Sequence, residues 1–185
     1  MSVTQKGNSA GGDIVAGDKK IYNVRAGAQS PISALYERLR ENDSTQLYTS
    51  KIADKLQHFA AVSVDGDIRG LEQKLTAADR TDLLMMAKRL KEDAAKLVMR
   101  LQTSPIAQDI LTLVLSKVYS DFVLHVTPAI ESDQSRQVVD ALISDKVISN
   151  AMIMLEENEM MLTDADILGL VFFLGGNCHI RWDKC

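Results

Sequence analysis

Apolar residues recur at helical spacing along most of the chain from residue 30 onward. Leu83, Met86, Leu90, Ala94 and Leu97 are three or four residues apart, which places them on one face of an α-helix. Similar patterns predict helices over 31–42, 45–62, 68–78, 83–101, 106–130 and 135–157, with a continuation or a restart at Asp145, and a closing helix after residue 163. The chain is therefore predicted to be all-α, a compact bundle of about seven helices.

Polar residues that suit helix starts stand in front of several of these segments. Ser30-Pro31 and Ser104-Pro105 each combine an N-cap serine with a proline in the first helical position. Thr163 and Asp166 are placed to cap the closing helix. The long apolar segment 106–130 is expected to be central, and Pro128 is expected to kink or stop it.

The closing segment, residues 167–185, combines an apolar helix with a polar tail. Residues 167–174 are almost entirely apolar, so we expect a buried helix that ends at Gly175 and Gly176. The tail is expected to fold back on the body. In this prediction Asn177 takes the left-handed conformation, Cys178 and Ile180 are buried, and Trp182 covers the edge of the core.

Residues 1–29 form a Gly/Asp-rich arm that differs from the helical domain expected over 30–185. Gly12-Asp13-Ile14-Val15 is followed after five residues by a second Gly-Asp pair, Gly17-Asp18. Gly-Asp pairs favour tight turns and Ile and Val favour strands. The arm is either a flexible tail or a short β-element that pairs between subunits or with a partner. A phosphate-binding loop is disfavoured because no Gly-Lys-Ser/Thr follows.

Charge and cysteine content narrow the class of protein. The net charge of −4 gives no long-range attraction to nucleic acid or to an anionic membrane. The two cysteines lie near the C-terminus, and no signal-peptide pattern precedes residue 30, so we expect a cytoplasmic protein. The longest uncharged stretch, 167–180, is too short and too interrupted by glycine to span a bilayer, and no membrane association is expected.

Candidate chemistry is concentrated in the tail. Cys178, His179 and Cys185, with His58 or His125 as a fourth ligand, could bind zinc, but a neighbouring Cys-His pair seldom binds one ion. A Cys178 nucleophile would need a base other than its chain neighbour. The basic residues between Lys88 and Arg100 could contact nucleic acid, although acidic residues interrupt them. We therefore expect no catalytic, cofactor-binding or metal-binding residues, with an enzyme, a metal- or thiol-based sensor and a nucleic-acid binder as alternatives.

Four motifs give the chain a family resemblance. They are Gly-Gly-Asp-Ile-Val-Ala-Gly-Asp-Lys in the arm, Ser-Pro-Ile-Ser-x-Leu-Tyr-Glu-Arg-Leu-Arg at 30–40, Gly-Leu-Glu-x-Lys-Leu at 70–75, and Phe-Leu-x-Gly-Asn-Cys-His-Ile-Arg-Trp at 173–182. With them the chain resembles the helical C-terminal-type domains of bacterial ABC-three-component conflict systems. In such systems an SMC-like ABC ATPase, a small middle component and an effector act together against phage or plasmids.

The resemblance implies a non-enzymatic module that couples an effector to the ABC ATPase or forms a homo-oligomeric scaffold. The 185 residues leave no room for an effector domain, so we expect a free-standing adaptor or a separately encoded partner. We expect the arm to make the homo-oligomer contact, because unpaired strand edges are satisfied by copies of themselves. The residues expected to make interactions are Gly12, Asp13, Ile14, Val15, Gly17, Asp18, Asn177, His179, Arg181 and Trp182.

Overall fold

Seven helices make up the part of the chain that the structure, a computed structural model, describes: residues 30–41, 51–61 and 69–184. They are α1 (Pro31–Arg40), α2 (Lys51–Ala60), α3 (Leu71–Ala77), α4 (Leu84–Arg100), α5 (Pro105–Glu131), α6 (136–154) and α7 (Asp164–Gly176). Those ranges contain no strand. The predicted all-α class and helix number are confirmed. The arm, residues 45–50 and 62 of the predicted second helix, residue 68 of the predicted third helix, and Cys185 lie outside the described residues.

The predicted helix starts are confirmed at three positions. The Ser30 hydroxyl accepts a hydrogen bond from the Ser33 amide at 3.1 Å, and Ser104 accepts from the Ala107 amide at 3.3 Å. At α7, Thr163 and Asp166 form a capping box in which the Thr163 amide donates to the Asp166 carboxylate at 2.8 Å. These caps satisfy amides that have no partner inside the helix.

Two helices pass through predicted breaks by widening into a π-helical turn. In α5 the turn is Phe122–Val126, and the helix continues past Pro128 to Glu131. Of the two outcomes predicted at Pro128, a kink or a stop, the stop is therefore wrong. A proline removes one amide donor and crowds the carbonyl four residues earlier, and the wider turn accommodates both effects. In α6 the turn is Ile143–Ile148, which carries the helix through Asp145 without a restart.

Helix α5 is the centre of the bundle, as predicted. Ile110, Leu111, Val114, Leu115 and Val118 have no exposed surface. Among the described helices, α5 is the one that is long and apolar enough to cross a membrane. The prediction of no membrane association considered only the uncharged stretch 167–180 and did not include this helix. Half of its most apolar window is buried inside the protein, and core helices of globular proteins meet the same criteria.

Helix α7 lies against α4 at very short range. A β-carbon added at Gly169 would lie 2.8 Å from the main-chain oxygen of Leu90 and 3.4 Å from the β-carbon of Ala94. The absence of a side chain at Gly169 therefore sets the separation of the two helices. On α4, Ala94 lies at this contact, and Ala87 is a second small buried residue of the helix.

Ion pairs fasten α1 to the acidic turn at 156–159. The Arg40 guanidinium binds Glu157 and, at 2.9 Å, Glu159. The adjoining Tyr36 is 1% exposed, and its burial, together with the nearby carboxylates, raises its pKa to about 12. The acidic turn therefore anchors the first helix.

Candidate functional site

The tail after α7 folds back onto the body around Trp182. The indole ring stacks on Phe172 with 5.6 Å between ring centroids, meets the edge of Phe122 at 5.7 Å, and is 5% exposed. A β-carbon on Gly175 would lie 2.5 Å from the ring, so this glycine makes room for it. The prediction that Trp182 and Ile180 are buried is confirmed, whereas Cys178 is only partly buried.

The turn that reverses the chain is built differently from the prediction. Cys178 takes the left-handed conformation with a φ of 66°, while Asn177 has a φ of −94°. The Cys178 amide donates to the Gly175 carbonyl and the His179 amide donates to the Leu174 carbonyl, at 3.3 and 2.9 Å. These are the two bonds of a Schellman motif, in which the left-handed residue follows the C-cap. The prediction that placed Asn177 there is wrong, because Asn177 is the C-cap itself.

Side chains of the tail cap the C-terminal end of α2. The Asn177 amide donates to the Phe59 carbonyl at 3.0 Å, and the His179 Nε2 lies 3.1 Å from the Ala61 carbonyl. These carbonyls have no partner inside α2, so the tail supplies donors that the helix lacks. The tail thereby joins elements more than a hundred residues apart in the sequence.

Lys74 holds the tail from the opposite side. Its side chain is 1% exposed, and its ammonium donates to the Gly175 carbonyl at 2.9 Å and to the Ile180 carbonyl at 3.2 Å. A cation at this position suits the negative end of α7. Lys74 was not among the residues predicted to make interactions. The signal was its position between Leu71 and Leu75 on one helical stripe, where a lysine needs an internal acceptor.

Of the predicted interaction residues in the tail, three are used within the chain itself. Asn177, His179 and Trp182 contact α2 or the core, while Arg181 is partly exposed. Gly12, Asp13, Ile14, Val15, Gly17 and Asp18 lie outside the described residues.

The candidate chemical groups of the tail are also placed by the fold. The Cys178 thiol donates to the Arg69 carbonyl at 3.5 Å, and burial, with a smaller contribution from His58, lowers the pKa of His179. His58 lies beside His179, whereas His125 is exposed on α5. Over the described ranges, no three side chains of His, Cys, Asp or Glu are grouped to hold a metal ion.

The basic residues of α4 are largely paired. Lys88 binds Glu72 at 2.6 Å and Lys96 binds Glu92 at 2.7 Å. The Lys91 chain lies over Gly176. Paired cations attract a polyanion less than free ones, because the neighbouring carboxylates must be displaced or tolerated.

Two cavities adjoin Trp182, and Arg80 lines both of them. The first, of about 550 Å³, has six charged residues among the twelve that line it, and we call it the polar cavity. The charged residues come from the 77–80 turn, the 133–136 segment and the tail. The second, of about 230 Å³, lies between the start of α4, the middle of α6 and α7. Arg80 is 4% exposed and pairs with Asp140. The ion pair stands at the boundary between a polar and an apolar cavity.

The smaller cavity is lined mostly by apolar side chains. They are Leu83, Met86, Ile143, Ile148, Leu168 and Phe172, together with Trp182. Met86 is 41% exposed, and its chain neighbour Met85 is 83% exposed. Methionine side chains adapt their shape to what they contact, and exposed apolar surface of this kind is typical of binding grooves. We call this cavity, which Met86 lines, the methionine groove.

Comparison with known families supports part of the resemblance. The family model for C-terminal domain 9 of the ABC-three component (ABC-3C) systems matches residues 70–182, which is more than half of the chain. The chain therefore belongs to this family. It is a component of an ABC-three component conflict system. The matched residues include the motifs at 70–75 and 173–182, while the motifs in the arm and at 30–40 lie outside them. No curated protein and no solved structure matches the chain.

Proposed function

We propose that this chain is a non-enzymatic adaptor that couples an effector to the SMC-like ABC ATPase of its system. Family membership supports a multi-component setting. The methionine groove carries the proposal, because it offers a partner apolar surface next to charged groups. The tail contributes by holding Trp182 as the wall that the groove shares with the polar cavity.

The groove fits an apolar side chain of a partner. Its volume of about 230 Å³ suits one large apolar side chain, and Met86 can close over it. Pockets of this kind hold the central anchors of protein interfaces, which are surrounded by polar rims. Here the rim is the Arg80–Asp140 ion pair.

The charges around the polar cavity indicate that the partner carries a basic residue near its apolar anchor. Among the described residues, this corner holds four cations and five carboxylates: Arg69, Arg80, Arg136, Lys184, and Asp79, Asp82, Asp133, Asp140, Asp183. Asp79 lines the cavity and pairs with no cation among the described residues. A lysine or arginine of the partner would complete this arrangement.

Co-purification of the chain with the ABC ATPase and the effector of its system tests the proposal. Met86→Glu places a charge in the groove at a site that is already 41% exposed, so the fold should be kept. Met99→Glu is the matched control, on the same helix at 59% exposure and outside the cavity lining. We expect Met86→Glu to weaken the complex about tenfold or more. Equal recovery of both variants with the partners would contradict the proposal.

We also propose that the Gly/Asp-rich arm contributes a contact between copies of the chain. The support is the sequence pattern, in which Ile14 and Val15 follow a Gly-Asp pair. The solution mass of the full chain and of a variant without residues 1–28 tests this. A larger particle that falls to a monomer on deletion is expected. An unchanged mass per particle, or a monomeric full chain, would refute it.

A further inference from the structure

Two of the three histidines in the chain lie together where α2 meets the tail. The ring centroids of His58 and His179 are 4.9 Å apart and the rings are tilted by 54°. We propose that His58 and His179 form a two-histidine site for a divalent transition-metal ion such as Zn²⁺ or Ni²⁺. The inference is independent of the adaptor function and of the methionine groove.

The spacing of the rings is that of two imidazoles on one ion. An imidazole nitrogen lies about 2.0–2.1 Å from bound zinc, so two rings at a tetrahedral angle have centroids about 5 Å apart. The observed 4.9 Å matches this separation. The tilt of the rings also differs from a parallel stack, in which neither nitrogen could reach a shared ion.

The hydrogen bond of His179 prepares one ring nitrogen as a ligand. Its Nε2 lies 3.1 Å from the Ala61 carbonyl, which can only accept, so the proton is on Nε2. The lone pair is then on Nδ1. A metal-binding histidine commonly donates its other N–H to a backbone carbonyl in this way, which fixes the tautomer and the ring.

His58 leaves the site open to solvent. Its side chain is exposed, so water can fill the remaining positions around the ion. The Cys178 thiol is directed to the Arg69 carbonyl and is not required as a ligand. Imidazole nitrogens suit zinc, nickel and copper better than magnesium or calcium. A bound ion would join α2 to the tail and stabilise their contact.

Calorimetric titration of the full chain with zinc chloride, after removal of any histidine tag, tests the proposal. We expect one ion per chain and a rise in melting temperature with Zn²⁺ but not with Mg²⁺. His58→Gln should weaken binding at least about tenfold, because one of two ligands is lost. His58 is exposed, so this variant should keep the fold.

His125→Gln is the matched control, since it removes the other exposed histidine, on α5. It should bind zinc as the parent chain does, and so should Cys178→Ser. Three results would overturn the proposal: no saturable binding at millimolar Zn²⁺, equal binding by His58→Gln and the parent, or loss of binding in Cys178→Ser. The last result would assign the ion to the thiol.

Discussion

The contact between α4 and α7 is tested most sharply by Gly169→Ala. The added β-carbon would lie 2.8 Å from the Leu90 main-chain oxygen, a distance that real β-carbons do not show. The oxygen belongs to a helix backbone and cannot rotate away as a flexible side chain would. The two helices must therefore move apart, and this disturbs packing along the whole of α7.

The expected loss of stability follows from two opposing effects. Replacing glycine by alanine inside a helix gains about 1 kcal/mol through reduced backbone entropy of the unfolded chain. Overpacking a well-filled core costs about 1–3 kcal/mol, and a backbone clash belongs in the upper part of that range. We expect a net loss of about 1–2 kcal/mol, which lowers the melting temperature by about 2–8 °C for a chain of this length.

Urea unfolding of the parent chain, Gly169→Ala and a control measures this directly. Gly176→Ala is the control, because the atoms nearest to its added β-carbon are the last three of the Lys91 side chain, which can move away. We expect the free energy of unfolding of Gly176→Ala to lie within about 0.5 kcal/mol of that of the parent chain. If Gly169→Ala is as stable as the parent or more stable, the close approach of α4 and α7 is refuted.

Three further predictions concern the tail. Trp182→Ala should lower the free energy of unfolding, measured in urea, by about 3–5 kcal/mol, because it leaves a buried ring site empty. A loss below about 1 kcal/mol would contradict the packing. Lys74→Met should lower the free energy of unfolding by about 2–4 kcal/mol, since two buried carbonyls lose their donor. It should also speed amide hydrogen exchange of residues 177–184, and an unchanged exchange rate would contradict the role of Lys74. Burial lowers the pKa of His179 below its ordinary 6.5, so the unfolded state takes up a proton first and stability should fall as pH drops below 6.5. His179→Gln should reduce that slope, and an equal slope in both chains would contradict it.

The helices could be predicted from the sequence because each has a local cause. A period of three to four residues, an N-cap serine and a following proline act within a few positions of one another. Ser30, Ser104 and Thr163 therefore mark real helix starts. Pro128 was misleading, because a π-helical turn before it removes the conflict that normally ends a helix.

The candidate sites depend on distant contacts that periodicity does not encode. The Lys74 ammonium reaches carbonyls about a hundred residues later, and the methionine groove is assembled from α4, α6 and α7. The burial of Trp182 was predictable from its place beside an apolar helix. The pairing of His58 with His179 was not, because nothing in the local sequence of either histidine refers to the other.

Site-specific photo-crosslinking shows directly whether a partner binds at the methionine groove. A photoreactive benzoylphenylalanine replaces Met86 in one preparation and Met99 in another, each mixed with the ABC ATPase and the effector of the system. Both sites lie on α4 and both are exposed. Position 86 borders the groove and position 99 does not. We expect a crosslink from position 86 to an apolar residue of a partner that has a basic neighbour, and no crosslink from position 99. Equal crosslinking from both positions, or none from position 86 in a complex that forms, would contradict it.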